Sequence, residues 1–289
     1  SLSGNAGTTS SHFLGTTDDQ VLHIKVNSQD ALRLEPHATS PNLVGGNSLN
    51  IMAFDVYGGT IGGGGTSGNL NAVYAHYRTL SGGLGNTAGI LGSLTTTRYA
   101  TIGGGEENTA SNTHATVAGG YLNTASGNNA SVGGGKQNTA SNIDATVAGG
   151  FGNTASGDFA TIPGGDRNEA HGECSFAAGL LAKSNADGCF TWNDSSGLAL
   201  NNNIENSWMA RASGGVGFYT SAGLGSGVIV PAGGSAWSTV SDRNLKENFE
   251  DVDSRALLET LAGIPISTWN YISQEDSIRH IGPMAQDFY

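Results

Sequence analysis

The chain has 289 residues, 46 of them Gly, with 37% hydrophobic and only 12% charged residues, a net charge of −12 and a pI near 4.8. So little apolar mass argues against a conventional layered core, and the abundance of Thr, Val, Ile and Ala over charged residues argues against disorder. The acidity excludes nucleic acid as a partner, since no cluster of Lys and Arg is available to meet a phosphate backbone.

In chain order, residues 1–43 are expected to form an N-terminal β-hairpin cap. Strands alternate over Val21 to Val26 and Ala31 to Leu34 around the polar turn Asn27 to Asp30. Residues 44–99, with "GGTIGGGG" and "SGGLGNTAG", are expected to be irregular or degenerate coils.

Residues 100–200 carry the main signal, a strict repeat in which Asn108, Asn123, Asn138, Asn153 and Asn168 recur every 15 residues. The column Asn112, Gly127, Asn142, Gly157 alternates between the two residue types most tolerant of positive φ, which predicts a left-handed corner there. Gly103, Ala118, Gly133 and Ala148 alternate in step, so a pair of coils is the duplicated unit, and glycine pairs such as Gly119 and Gly120 predict a second corner. Two corners and two short strands make one coil of a parallel β-solenoid, stacked about 4.8 Å from the next. Such a coil has few sizeable apolar side chains, so lateral association of chains is expected. Cys174 and Cys189, again 15 apart, are expected to stack as two small buried thiols in adjacent coils.

Residues 201–240, with "SWMARASGGVGFYT" and "SGVIVPAGG", predict short strands between Gly turns, a connector or neck. Residues 241–289 then hold 13 charged residues, against 23 in the preceding 240, which marks a domain boundary. There Asp253 is positioned to cap a helix over "SRALLETLA" that ends at Gly263 and Pro265, with Leu257, Leu258 and Leu261 on one face. "ISTWNYI" follows as a strand.

Two resemblances follow from these residues. The repeat "ATVAGGFGNTASG" resembles the left-handed β-roll of YadA-like trimeric autotransporter heads, with Gly in place of the family's Ile and a period one residue longer than the commoner one. "SDRNLKENFEDVDSRALLETL" with "STWNY" and "RHIGPMAQDF" is similar to the endosialidase-type intramolecular chaperone of phage tail spikes and fibres, through S-D-x-x-L-K and I-G-x-x-A-Q together. The resemblances imply a mainly β fold, a left-handed parallel β-roll or solenoid with 15-residue coils, homotrimeric, plus a small C-terminal α+β chaperone domain. They also imply that this domain assists trimerisation and cuts itself off before Ser241, with Ser241 as nucleophile, Lys246 as general base and Val240–Ser241 as the scissile bond. The expected function is a trimeric fibre or adhesin, extracellular on a virion, an injection particle or a bacterial surface, that contacts a glycan or protein receptor, with a bacterial cell-surface trimeric adhesin whose C-terminal domain stays uncleaved as the alternative.

The residues themselves allow that chemistry on one condition. A Ser hydroxyl needs an adjacent base, and Lys serves as one when burial lowers its pKa. Residues five apart on a helix point about 140° away from each other, so Ser241 is expected on an extended or turn segment, or its partner in another chain. Tyr121, Phe151 and Phe159 are candidate sugar-binding platforms, with packing between chains as the alternative. The seven His are scattered without metal-site spacing, and no Lys-Ser/Thr pair follows Gly62 to Gly65, so no metal, phosphate loop or cofactor is expected. A Thr/Ser column through Thr101, Thr116, Ser131, Thr146 and Thr161 raises ice binding as a minor alternative. With no apolar run long enough to span a bilayer, no signal peptide and no initiator Met, the chain is expected to be a fragment or processed product without membrane insertion.

Overall fold

Eleven short strands, from Asn42–Gly45 through Thr60–Ile61 to Trp208–Arg211, stack in parallel as one face of a solenoid of about 11 turns. Ten more, from Ile51–Met52 to Leu200–Asn202, form the opposing sheet. These elements come from a computed structural model that describes residues 6–92, 98–240 and 243–288. The chain separates into two compact units, Ser1–Gly215 and Val216–Tyr289.

The strand pattern explains the register. Along Thr116–Val117 the Thr faces out and the Val is buried, and along Thr124–Ala125 the Thr faces out and the Ala is buried. Because the side-chain period is two, only an in-register stack keeps every Val inside. Thr101, Thr116, Ser131, Thr146 and Thr161 accordingly pair in one column, and Thr109, Thr124, Thr139 and Thr154 in the other. Isolated bridges join Glu106, Tyr121, Lys136, Phe151 and Asp166 into a third ladder between the sheets. The core is thin, a column of Ile102, Val117, Val132, Val147 and Ile162 between columns of Ala.

Coil length is constant only where the repeat is strict. Register partners Thr101, Thr116, Ser131, Thr146, Thr161 and Phe176 are 15 apart, whereas Leu43, Thr60, Thr79 and Thr101 are 17, 19 and 22 apart. The described residues between 44 and 99 therefore wind as coils of irregular length within the same sheets. Past the strict repeats Phe176 and Phe190 are 14 apart, then Phe190 and Trp208 are 18 apart, so the last coil runs beyond residue 200 into the expected connector. At the other end, Leu22–Val26 and Gln29–Glu35 form the expected hairpin, turning at Asn27 and Ser28 with φ 49° and 63°. Gln29–Glu35 also pairs antiparallel with Asn42–Gly45, covering the open edge of the first coil.

Two expectations are corrected. The left-handed corner is not at Asn112, Gly127, Asn142 and Gly157 but two residues later, at His114, Asn129, Asp144 and Phe159, with φ of 55° to 59°. There the N–H of Asn129 donates to Thr113 O and that of Asp144 to Asn128 O, both at 2.9 Å, so stacking on the preceding coil holds a backbone that isolated residues rarely adopt. Gly127 is required for close approach instead, since a Cβ there would fall on the Asn142 carbonyl of the next coil. The cysteines do not stack, because the coil between them is one residue short. Cys174 occupies the left-handed corner and is exposed, while Cys189 is buried with its thiol 2.9 Å from Ala186 O.

Candidate functional site

The expected cleavage junction lies in the second unit. Gly215–Tyr219, Gly227–Pro231 and Ser238–Val240 form a small three-stranded sheet, with Val240 opposite Gly227. The expected nucleophile, Ser241, lies outside the described residues together with Asp242. Lys246 follows a single 3-10 turn, Arg243–Leu245, and its N–H donates to Arg243 O at 3.2 Å. The burial expected of a lysine base is not found in the single chain, where Lys246 is exposed.

Helix α1, Ser254–Ala262, begins where the sequence places it. The Asp253 carboxylate accepts from Arg255 N at 3.0 Å and Ala256 N at 3.1 Å, satisfying two of the orphan donors of the first turn. The helix ends at Gly263, which stays right-handed with φ −82°. Its apolar face has no cover: Leu257, Leu258 and Leu261 are 49%, 67% and 52% exposed. A two-stranded ribbon, Ser267–Trp269 with His280–Gly282, follows, with Trp269 stacked on His280 at 4.6 Å and edge-on to Tyr271 at 4.9 Å. Ile272 and Ile281 remain exposed.

On the solenoid, Tyr121 and Phe151 share the third ladder two coils apart with Lys136 between them. The Lys136 ammonium lies 5.5 Å from the Tyr121 ring and 5.8 Å from the Phe151 ring, and the Arg167 guanidinium lies 5.4 Å from Phe151. These are cation–π distances. Phe159, 51% exposed, stands at the left-handed corner, so the three candidate platforms split into a pair and a single ring. Among the described residues no group of His, Cys, Asp and Glu is placed to hold a metal, and no helix is long and apolar enough to cross a membrane.

Sequence periodicity found the Asn column without its role. Asn108, Asn123, Asn138, Asn153 and Asn168 are fully buried. The Asn123 N–H donates to Asn108 Oδ1 at 3.0 Å, while Asn123 Nδ2 donates to Gly119 O at 3.0 Å and to Gly135 O at 2.9 Å. Each amide thus ties its own corner to the coils on either side. Arg78 gave no sequence signal: wholly buried, it donates to Ala110 O at 2.9 Å and Ser111 O at 3.2 Å, and burial pushes its pKa down to about 10.

Residues 241–289 match the family model described as chaperone of endosialidase. No curated protein matches the chain.

Proposed function

We propose that the chain is a subunit of a homotrimeric, tail-fibre-like protein, a left-handed β-roll that stands outside the cell and touches a surface glycan or protein receptor. Its last segment acts as an assembly chaperone and is then removed. The observation that carries this reading is the junction of a long parallel solenoid with a segment that matches the chaperone of endosialidase and leaves its helix face uncovered. An apolar face left open in one chain is accounted for if neighbouring copies cover it.

In the proposed removal, Lys246 takes the proton of Ser241 as its hydroxyl oxygen attacks the Val240 carbonyl, and returns that proton to the Ser241 nitrogen as the Val240–Ser241 carbon–nitrogen bond breaks. The resulting ester is opened by water, leaving Val240 with a carboxylate and Ser241 with a free amine. The exposure of Lys246 in the single chain fits a base that becomes buried only on assembly. The full chain should therefore yield two fragments on a denaturing gel, and Ser241→Ala and Lys246→Ala should stay intact. Equal cleavage of Ser241→Ala would remove Ser241 from the mechanism. Light scattering should give three chains per particle, and a monomer both with and without residues 241–289 would overturn the fibre reading.

A further inference from the structure

The last strict repeat departs from its predecessors on its second strand. Where earlier coils have Asn-Thr-Ala-Ser, it has Asn168-Glu169-Ala170-His171. Asn168 and Ala170 keep their buried places, so Glu169 and His171 take the outward ones, directly beside Thr154 and Ser156 of the preceding coil. Ser156 Oγ lies 2.6 Å from His171 Nδ1, and His171 Nε2 lies 3.0 Å from Glu169 Oε2. Lys183, paired with Glu169 across the next coil, holds the other carboxylate oxygen at 2.8 Å. Ser111, Ser126 and Ser141 precede Ser156 at the same position of their coils, but none of them has a His in the following coil.

The network has a direction. Burial pushes the Glu169 carboxyl up, but the hydrogen bonds from Lys183 and His171 and the charge of the Lys183 ammonium outweigh it and hold the group below its ordinary value. A carboxylate only accepts, so the neutral imidazole carries its proton on Nε2 and offers the Nδ1 lone pair to the Ser156 hydroxyl. We propose that Ser156, His171 and Glu169 form a nucleophilic acyl-transfer site whose substrate is a small carboxylic ester with a good leaving group.

Ser156 Oγ attacks the ester carbonyl carbon while His171 Nδ1 takes the hydroxyl proton. The carbon–oxygen bond to the alcohol breaks, and His171 returns that proton to the departing alkoxide. Water then attacks the acyl-serine, again giving its proton to His171, and the acid leaves as the proton passes back to Ser156. Ester and water become acid and alcohol. For the developing oxyanion a redundant donor adjacent in the chain to Ser156 is Gly157 N–H. It shares Ala170 O at 3.1 Å with Ser156 N–H at 2.8 Å, so it can turn away without orphaning that carbonyl. The site lies on the outward face of the sheet, where an ester can approach from solvent.

The test uses the full chain in a Ser241→Ala background, so that the junction serine does not contribute. A fluorophosphonate probe followed by peptide mapping should label Ser156 at least about tenfold faster than Ser126 or Ser141 of the same column. His171→Ala and Glu169→Gln should each bring Ser156 down to the level of those serines. Hydrolysis of p-nitrophenyl acetate should fall in parallel, with Ser156→Ala abolishing it. Labelling of Ser156 no faster than Ser126 in the unsubstituted site would overturn the proposal. So would unchanged labelling in His171→Ala. Ser126 labelling in each variant reports whether the solenoid is intact.

Discussion

Asn138 uses every polar atom of its side chain inside the solenoid. Its Oδ1 accepts from Asn153 N, and its Nδ2 donates to Gly134 O and Gly150 O. Replacing it with Ala orphans one backbone N–H and weakens the satisfaction of two carbonyls where water has no access. At roughly 1–3 kcal/mol per buried unsatisfied group, Asn138→Ala should cost about 2–4 kcal/mol, read as a lower denaturation midpoint in urea. Surface Thr139→Ala in the next position should change it little. His76 is one residue whose titration bears on stability. It stacks on Tyr57 at 3.8 Å, and burial, with Arg98 beside it and His37 nearby, holds its pKa below 6.5 despite the opposing charge of Asp55. The folded state thus prefers the neutral ring, so its contribution is complete above pH 6.5 and is lost as pH falls below that value. The urea midpoint should drop between pH 7.5 and 5.5, and His76→Phe should flatten that slope.

At the scale of the coil, corner chemistry decides what the repeat tolerates. Gly120 sits at φ 94°, and a Cβ on it would meet the Gly135 carbonyl, while its neighbour Gly119 has no neighbour closer than 3.9 Å and no left-handed backbone. Gly120→Ala should therefore destabilise the stack by more than about 1 kcal/mol, and Gly119→Ala should be near neutral, as thermal melts of the two variants would show. The duplicated coil pair inferred from Gly103, Ala118, Gly133 and Ala148 is also visible in the backbone. Gly104 and Gly134 lie at φ 145°, whereas the equivalent Gly119 and Gly149 are outside the left-handed region. Residue identity announced that alternation one position earlier, where a Cβ on Gly103 or Gly133 would fall on the Ala118 or Ala148 carbonyl of the next coil. It did not announce the other corner, where His114, Asn129, Asp144 and Phe159 share one conformation without sharing a chemistry. Stacking imposes that corner, and a single sequence carries no mark of it.

For the whole molecule, the contrast is between a solenoid whose inward columns are wholly buried and a C-terminal segment that buries little. Every described side chain from Arg243 to Gly263 is exposed. If copies of the chain cover α1, a charge on its apolar face should break that contact. Leu258→Asp should then lower the particle mass measured for the full chain, while Arg255→Ala on the same helix should leave it unchanged. A trimer that survives Leu258→Asp would show that the solenoid alone holds the copies together.

The sequence by itself determined the mainly β class, the 15-residue coil, the N-terminal hairpin, the Asp253 cap and the resemblance of residues 241–289 to an assembly chaperone. Each of these depends on local or periodic chemistry: alternation, obligatory glycines, a capping carboxylate, a short motif. Only the tertiary structure decided where the left-handed corner falls, that Cys174 and Cys189 part company, that Tyr121 and Phe151 bracket a lysine while Phe159 stands apart, and that Ser156 meets His171. Those outcomes depend on which residue of one coil lies against which residue of the next, and a coil one residue shorter is enough to change the answer.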